Sequence, residues 1–235
     1  MKPIYEPKGK AKEYGDYAIN IDSTCPHKCF YCYCPLILHK TKEEFFDYKG
    51  HRRGIVEATR RQIEREGITG KLIHLCFVGD PYPTGYDSTP TREIIKLLKT
   101  SGNHVQILTK GDGRRDFDLL DSGDWYGVTI SHIFDDNGLT WEFDAIAPLV
   151  RCAQLKEAHK HGIKTWVSCE PVLCAEDIYM LIERGDYIDR FKIGKLNYHP
   201  SNINWHDFGY EAERLCKLYA RDYYIKEDLR REMEV

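Results

Sequence analysis

Short apolar segments alternate with helical segments along most of the chain, and this alternation restricts the fold more than any other feature of the sequence. The predicted strands are Tyr17–Ile21, Leu72–Val78, His104–Leu108, Trp125–Ser131, Ile163–Cys169 and Tyr187–Ile193. Because each intervening helix returns the chain to the same end of the sheet, these strands are expected to pair in parallel. Parallel strands are buried on both faces, and the apolar content of the segments agrees with this pairing.

The number of strand–helix units limits the architecture further. Six units are fewer than the eight of a closed barrel. The sequence therefore predicts an α/β fold, a partial (β/α)6 barrel of TIM type with parallel strands. An open doubly wound sheet is the alternative, but no GxGxxG, GxxxxGKS or GxxxxGKT motif follows a strand. We expect one domain over residues 1–235, with a core barrel at about 17–200 and a C-terminal helical extension at about 201–235.

The charge balance gives little attraction for polyanions. The 34 Lys and Arg and 37 Asp and Glu leave a net charge of −3, so no field of the whole protein attracts nucleic acid. No apolar run approaches the roughly 18 residues of a membrane-spanning helix. The polar start MKPIYEPKGKAKEYG also lacks the apolar stretch of a signal peptide. We expect a cytoplasmic protein that does not enter a membrane.

Nine cysteines are present, and four of them lie within ten residues in the segment STCPHKCFYCYCP. The odd count and the absence of a signal peptide argue against a disulfide scaffold and for thiols that bind metal. The clustered residues are Cys25, Cys29, Cys32 and Cys34. The scattered ones, Cys76, Cys152, Cys169, Cys174 and Cys216, are expected in the core, where free cysteines usually pack.

The clustered cysteines allow two metal centres. The spacing C-x3-C-x2-C of Cys25, Cys29 and Cys32 suits an iron–sulfur cluster with three protein ligands. A zinc ion could take the same three thiolates together with Cys34 or His27, although zinc sites usually use two separated pairs. The zinc hypothesis describes a binding protein without catalysis.

The cysteine motif, with Tyr31 directly before Cys32, resembles the signature of the radical S-adenosylmethionine (SAM) enzymes. The resemblance implies that Cys25, Cys29 and Cys32 hold a [4Fe–4S] cluster whose fourth iron binds SAM, and that Cys34 is not a ligand. It also implies reductive cleavage of SAM to a 5′-deoxyadenosyl radical, which abstracts hydrogen from a substrate. An electron donor such as flavodoxin or ferredoxin is implied as partner, and Tyr31 is expected against the adenine or the cluster.

Polar and glycine residues collect where the predicted strands end, as in barrel active sites. A lysine there could pair with the SAM carboxylate, and hydroxyls could bond the ribose. The predicted SAM-binding residues are Tyr31, Gly79, Asp80, Thr109, Lys110, Ser131, Ser168 and Glu170.

A closer resemblance covers about residues 17–200. The segments YAINIDSTCPHKCFYCY, GDPYPTGYDSTPTREII and LTKGDGRRD are similar to the spore photoproduct lyase-like subgroup. This resemblance implies that Thr109 and Lys110 contact the methionyl end of SAM, with Gly79 and Asp80 nearby and Ser131 toward the ribose.

The sequence also departs from the lyases of that subgroup. The lyases are longer, whereas only about 40 residues follow the sixth predicted strand here. Their hydrogen-donor cysteine is also one position away from Cys76, which would place it on the opposite strand face. Lesion repair is therefore not implied, and the substrate is unidentified. Nucleic acid or a nucleotide is one candidate class, without support from the net charge.

Overall fold

Within residues 2–134 and 141–234, which the computed structural model describes, eight strands form one sheet whose spatial order follows the chain order. The strands are β1 (Ile4–Tyr5), β2 (Tyr17–Ile19), β3 (Leu72–Leu75), β4 (His104–Thr109), β5 (Trp125–Thr129), β6 (Lys164–Cys169), β7 (Arg190–Ile193) and β8 (Tyr223–Ile225). Strands β2 to β8 pair in parallel, and β1 pairs with β2 in the antiparallel direction. The carboxyl ends of the parallel strands therefore meet at one end of the sheet.

Helices connect most of these strands. They are α1 (Cys34–Ile37), α2 (Lys42–Phe46), α3 (Ile55–Glu66), α4 (Thr89–Thr100), α5 (Pro148–Lys160), α6 (Ala175–Arg184), α7 (Trp205–Leu218) and α8 (Glu227–Met233). Prolines in the first turn begin α4 and α5, where their missing N–H costs no helical bond. None of the helices in the described part of the chain is long and apolar enough to cross a membrane.

The two faces of the sheet carry different side chains. Ile73, Ile107 and Val167 lie fully buried in one apolar core together with Ile94 of α4 and Leu155 of α5. Because successive strand residues point to opposite faces, the neighbours of these residues face the barrel interior. That interior is the more polar side, and it leads to the strand ends where the candidate site lies.

The barrel is open between β1 and β8, the two ends of the sheet order. The 3₁₀ helix Gly9–Tyr14 follows β1, and its last residues contact lysines of β7 and of the segment after β8. Lys226 Nζ donates to Glu13 Oε1 at 2.6 Å and to the Tyr14 hydroxyl at 3.0 Å. Lys192 Nζ donates to the Glu13 carbonyl at 3.1 Å. Side-chain contacts, rather than strand pairing, thus connect the two edges.

The predicted partial barrel of parallel strands is confirmed, and two strands extend it beyond the six expected. β1 and β8 have two and three residues, too few for an apolar pattern to mark them. The segment 201–235, expected to be a helical extension, therefore also contributes β8 to the sheet. A 3₁₀ helix at Arg114–Leu119 connects β4 to β5. The assignment of the whole chain to one domain stays a prediction.

Candidate metal centre

The three cysteines of the motif meet in one cavity at the carboxyl ends of the strands. Cys25, Cys29 and Cys32 all line this cavity, which has a volume of about 500 Å³. A turn brings Cys29 and Cys32 together, because the Cys32 N–H donates to the Cys29 carbonyl at 3.1 Å. The Cys25 N–H donates to the Phe45 carbonyl of α2 at 3.1 Å, which fixes the start of the loop. The loop that follows β2 is thus shaped to present three thiols to one space.

His27 holds this loop to the next one and is itself engaged at both ring nitrogens. The Thr84 N–H donates to His27 Nε2 at 3.1 Å, so the proton lies on Nδ1, which faces Asp80 Oδ2 at 3.4 Å. Burial lowers the pKa of His27, which keeps the ring neutral. Neither nitrogen is free to act as the fourth zinc ligand considered from the sequence.

Asp80 joins the ends of β3 and β4. Its Oδ1 accepts from the Tyr82 N–H at 2.9 Å and from Thr109 Oγ1 at 2.5 Å, while Oδ2 accepts from the Lys110 N–H at 2.8 Å. Asp80 and Thr109 both line the cavity. Their polar atoms are directed mainly at each other and at the backbone, and they hold the Lys110 backbone in place.

Lys110 presents an unpaired ammonium group to the cavity. Its Nζ lies 5.5 Å from the centroid of the Tyr31 ring, and in the described part of the chain it has no hydrogen bond or ion pair. Burial opposes the charge, but Cys29 and Glu142 outweigh it and raise the pKa of Lys110 above its ordinary value. A protonated amine at a cavity wall that makes no direct ion pair among the described residues is suited to bind a carboxylate.

Tyr31 is fixed by a buried polar network that the sequence did not reveal. Its hydroxyl donates to Glu142 Oε1 and accepts from Ser131 Oγ at 3.1 Å. Glu142 in turn pairs with Arg151, which is fully buried. Ser131, predicted to lie toward the ribose, is fully buried behind Tyr31, and its hydroxyl is used there.

The other predicted residues lie on the remaining walls. Ser168 and Glu170 line the cavity, and Glu170 Oε2 lies 3.1 Å from Lys226 Nζ. Gly79 has φ +76°, and a Cβ there would lie 2.9 Å from Asp22 Cβ. Glycine is therefore required at position 79 by the packing of the loop before Cys25.

Two further thiols line the same cavity. Cys34 is buried, and its Sγ lies 3.6 Å from the Phe77 carbonyl oxygen. A hydrogen bond with the Cys34 side chain lowers the pKa of the Cys32 thiol to about 7. Cys76 was expected only in the core, but it also reaches the cavity wall. Of the remaining cysteines, Cys174 lies half-buried before α6, contrary to the expected core position.

No family model matches the sequence, and no curated protein matches it either. Solved structures do match the fold. SuiB from Streptococcus suis bound to S-adenosylmethionine superposes with a TM-score of 0.64 at 13% identity, over 88% of this chain and 49% of SuiB. A variant of spore photoproduct lyase with bound AdoMet and dinucleoside spore photoproduct gives 0.64 at 13% identity, over 94% of this chain and 78% of the lyase.

This chain thus spans about half of the SuiB chain and most of the lyase. Both proteins are radical SAM enzymes, and the resemblance to the lyase subgroup is confirmed at the level of the fold. The chain has the fold of the radical SAM enzymes, a partial barrel of parallel strands.

Proposed function

We propose that this protein is a radical SAM enzyme that binds a [4Fe–4S] cluster through Cys25, Cys29 and Cys32. The observation that carries the proposal is the shared cavity, in which these three thiols lie beside the unpaired ammonium of Lys110. When bound, such a cluster supplies one electron that splits SAM into methionine and a 5′-deoxyadenosyl radical, which becomes 5′-deoxyadenosine by taking a hydrogen atom from the substrate.

The arrangement of the donors supports a cluster over a single ion. Four zinc ligands at about 2.3 Å from one ion would lie about 4 Å from each other. Among the described residues, no three of the loop cysteines have sulfur atoms within 4.8 Å of one another. With His27 engaged at both nitrogens, the loop offers thiols and no free imidazole, a donor set typical of iron–sulfur clusters.

The side chains around the thiols have separate proposed roles. Lys110 binds the methionyl carboxylate of SAM, and Asp80 and Thr109 set the position of Lys110. Tyr31 presents its ring to the cofactors, supported from behind by Ser131. Gly79, Ser168 and Glu170 form further parts of the wall that encloses SAM and keeps water from the radical.

For the partner and the substrate, we propose only the chemical class. Exposed side chains border the cysteine loop and support docking of a reductant such as flavodoxin or ferredoxin; they are Phe30, Tyr33, Leu36 and Ile37. We place the reaction in the reducing cytoplasm, where thiols remain free. A nucleotide or nucleic acid is one candidate substrate, although the net charge of −3 does not favour a polyanion.

Anaerobic reconstitution with iron and sulfide tests the function. We expect iron–sulfur absorbance, iron and sulfide in a cluster stoichiometry, and 5′-deoxyadenosine after addition of SAM and dithionite. The variant C34A is expected to keep the cluster, whereas a four-thiolate zinc site would lose its metal. A protein that holds one zinc ion and forms no 5′-deoxyadenosine would overturn the proposal and support the zinc-binding alternative.

A further inference from the structure

A buried ion pair lies directly behind the cysteine loop. Arg151 in α5 is 0% exposed and Glu142 is 8% exposed. Arg151 Nη2 pairs with Glu142 Oε2, and Nη1 donates to the Thr129 carbonyl at the end of β5. The pair therefore ties the segment before α5 to the carboxyl end of the sheet.

Glu142 contacts two residues of the proposed cofactor site. Its backbone forms an antiparallel bridge with Cys29, and its Oε1 accepts the hydrogen bond from the Tyr31 hydroxyl. Next to this bridge, the Phe30 N–H donates to the Trp141 carbonyl at 2.9 Å. The cysteine loop thus rests on the segment that Arg151 anchors.

The cost of such a pair argues for a role beyond packing. Removing two charges from water is unfavourable, and an apolar pair of similar volume is often as stable. Most ion pairs among the described residues have at least one exposed member, whereas both members of this pair are buried. The position of this ion pair beside the cysteine loop therefore indicates a role other than stabilising the fold.

We infer that Glu142 and Arg151 are positioning residues of the metal centre, with Arg151 fixing Glu142 and Glu142 holding Cys29 and Tyr31. Glu142 also places one negative charge in the segment that contacts Cys29, and this charge is opposed by the positive charges of Arg151 and Lys110. This inference rests on the proposed function.

The two charges predict the direction in which each variant shifts the midpoint potential of the cluster. Reduction makes a cluster more negative, so a nearby carboxylate opposes it and a nearby guanidinium favours it. E142Q should raise the midpoint potential and R151M should lower it. A unit charge within about 12 Å, at an effective dielectric constant near 20, changes the ratio of reduced to oxidised cluster about tenfold, ~59 mV for a one-electron couple.

The chain offers a matched control away from the cavity. Asp116 is fully buried, accepts from the Tyr82 hydroxyl at 3.0 Å and pairs with Arg92 at 2.8 Å. D116N therefore removes the same kind of carboxylate from the same kind of network. It should leave the potential unchanged.

The first test is a redox titration of the reconstituted E142Q, R151M and D116N proteins. Shifts of opposite sign in the first two variants, with none in D116N, support the inference. Shifts of equal sign, or no shift, overturn it. Should a single variant fail to fold, E142Q/R151M restores the charge balance and should return the potential to that of the unmodified protein.

The second test needs no cluster. In metal-free protein, E142Q weakens the anchor of this segment to Arg151 and so loosens the backbone bridge to Cys29. The rate at which iodoacetamide alkylates Cys29, as read by peptide mass, should increase several-fold in E142Q and not in D116N. An unchanged rate overturns the positioning role. A wild-type protein that takes up no iron and sulfide, yet shows the faster alkylation in E142Q, would contradict the proposed function while leaving the positioning role in place.

Discussion

Two regions of the molecule hold partly or fully buried lysine side chains, and these side chains have different partners. At the metal centre, the ammonium of Lys110 has no hydrogen bond or ion pair among the described residues. At the open edge of the barrel, Lys226 Nζ has three partners, the Glu13 and Glu170 carboxylates and the Tyr14 hydroxyl. A buried cation whose bonds are all made stabilises the fold, whereas one left unpaired at a cavity wall is available for a ligand.

The largest expected effect is the loss of a cysteine of the metal centre, since the open edge has no such group of thiols among the described residues. C29A should abolish the iron–sulfur absorbance and reduce 5′-deoxyadenosine formation to background, because a cluster ligand is lost. C216A is the control, since Cys216 is fully buried in α7 and does not line the cavity. Equal iron content in C29A and the unmodified protein would remove the basis for treating this region as a metal centre.

The next effect tests the unpaired lysine. K110M should retain the cluster but weaken SAM binding about 30-fold, since a charge-assisted contact to the carboxylate contributes about 2 kcal/mol. Isothermal titration with SAM measures the change. K226M removes a paired lysine from the same cavity wall and should weaken SAM binding much less than K110M does. The distinction between paired and unpaired lysine fails if both variants lose affinity equally.

K226M should instead lower the stability. It leaves Glu13 and Glu170 without their shared cation, and because both carboxylates are partly exposed we expect a loss of about 2 kcal/mol. Urea unfolding of the metal-free protein measures this loss. K110M should show no such loss of stability. An equal loss in the two variants would contradict the distinction between the paired Lys226 and the unpaired Lys110.

The sequence predicted these two regions unequally, for physical reasons. Regular spacing identified the cysteine loop, and long apolar runs identified strands such as β3 and β6. The open edge is built from the short β1 and β8 and a 3₁₀ helix, which leave no periodic signal. Contacts between such segments depend on the closed shape of the barrel.

The ion pair behind the cysteine loop was also missed, although one signal was available. Arg151 is followed on α5 by Cys152, Leu155 and Ala158, which are all buried. A charged residue on the apolar face of a helix requires a buried partner. The partner, Glu142, could not be identified from the sequence, because nothing in the pattern distinguishes it from surface carboxylates.

The smallest effect concerns pH and the second lysine of the open edge. Burial lowers the pKa of Lys192 to about 8, whereas an unfolded lysine titrates near 10.4. Between these values the unfolded chain binds more protons than the folded one, so Lys192 should make the free energy of unfolding rise with pH. Below about pH 8 both states are protonated, and its contribution is constant.

The difference between the unmodified protein and K192M isolates this contribution from the other titrating groups. Urea unfolding at pH 7.5 and pH 10 should show a gain for the unmodified protein, relative to K192M, on the order of 1 kcal/mol. Lys192 Nζ lies 3.8 Å from the centroid of the Tyr14 ring and donates to the Glu13 carbonyl, so Lys192 is well bonded yet still carries the cost of burial. A difference in the free energy of unfolding that does not change with pH would mean that water reaches Lys192 and that its pKa is not lowered by burial. The open edge would then be less tightly packed than its contacts indicate.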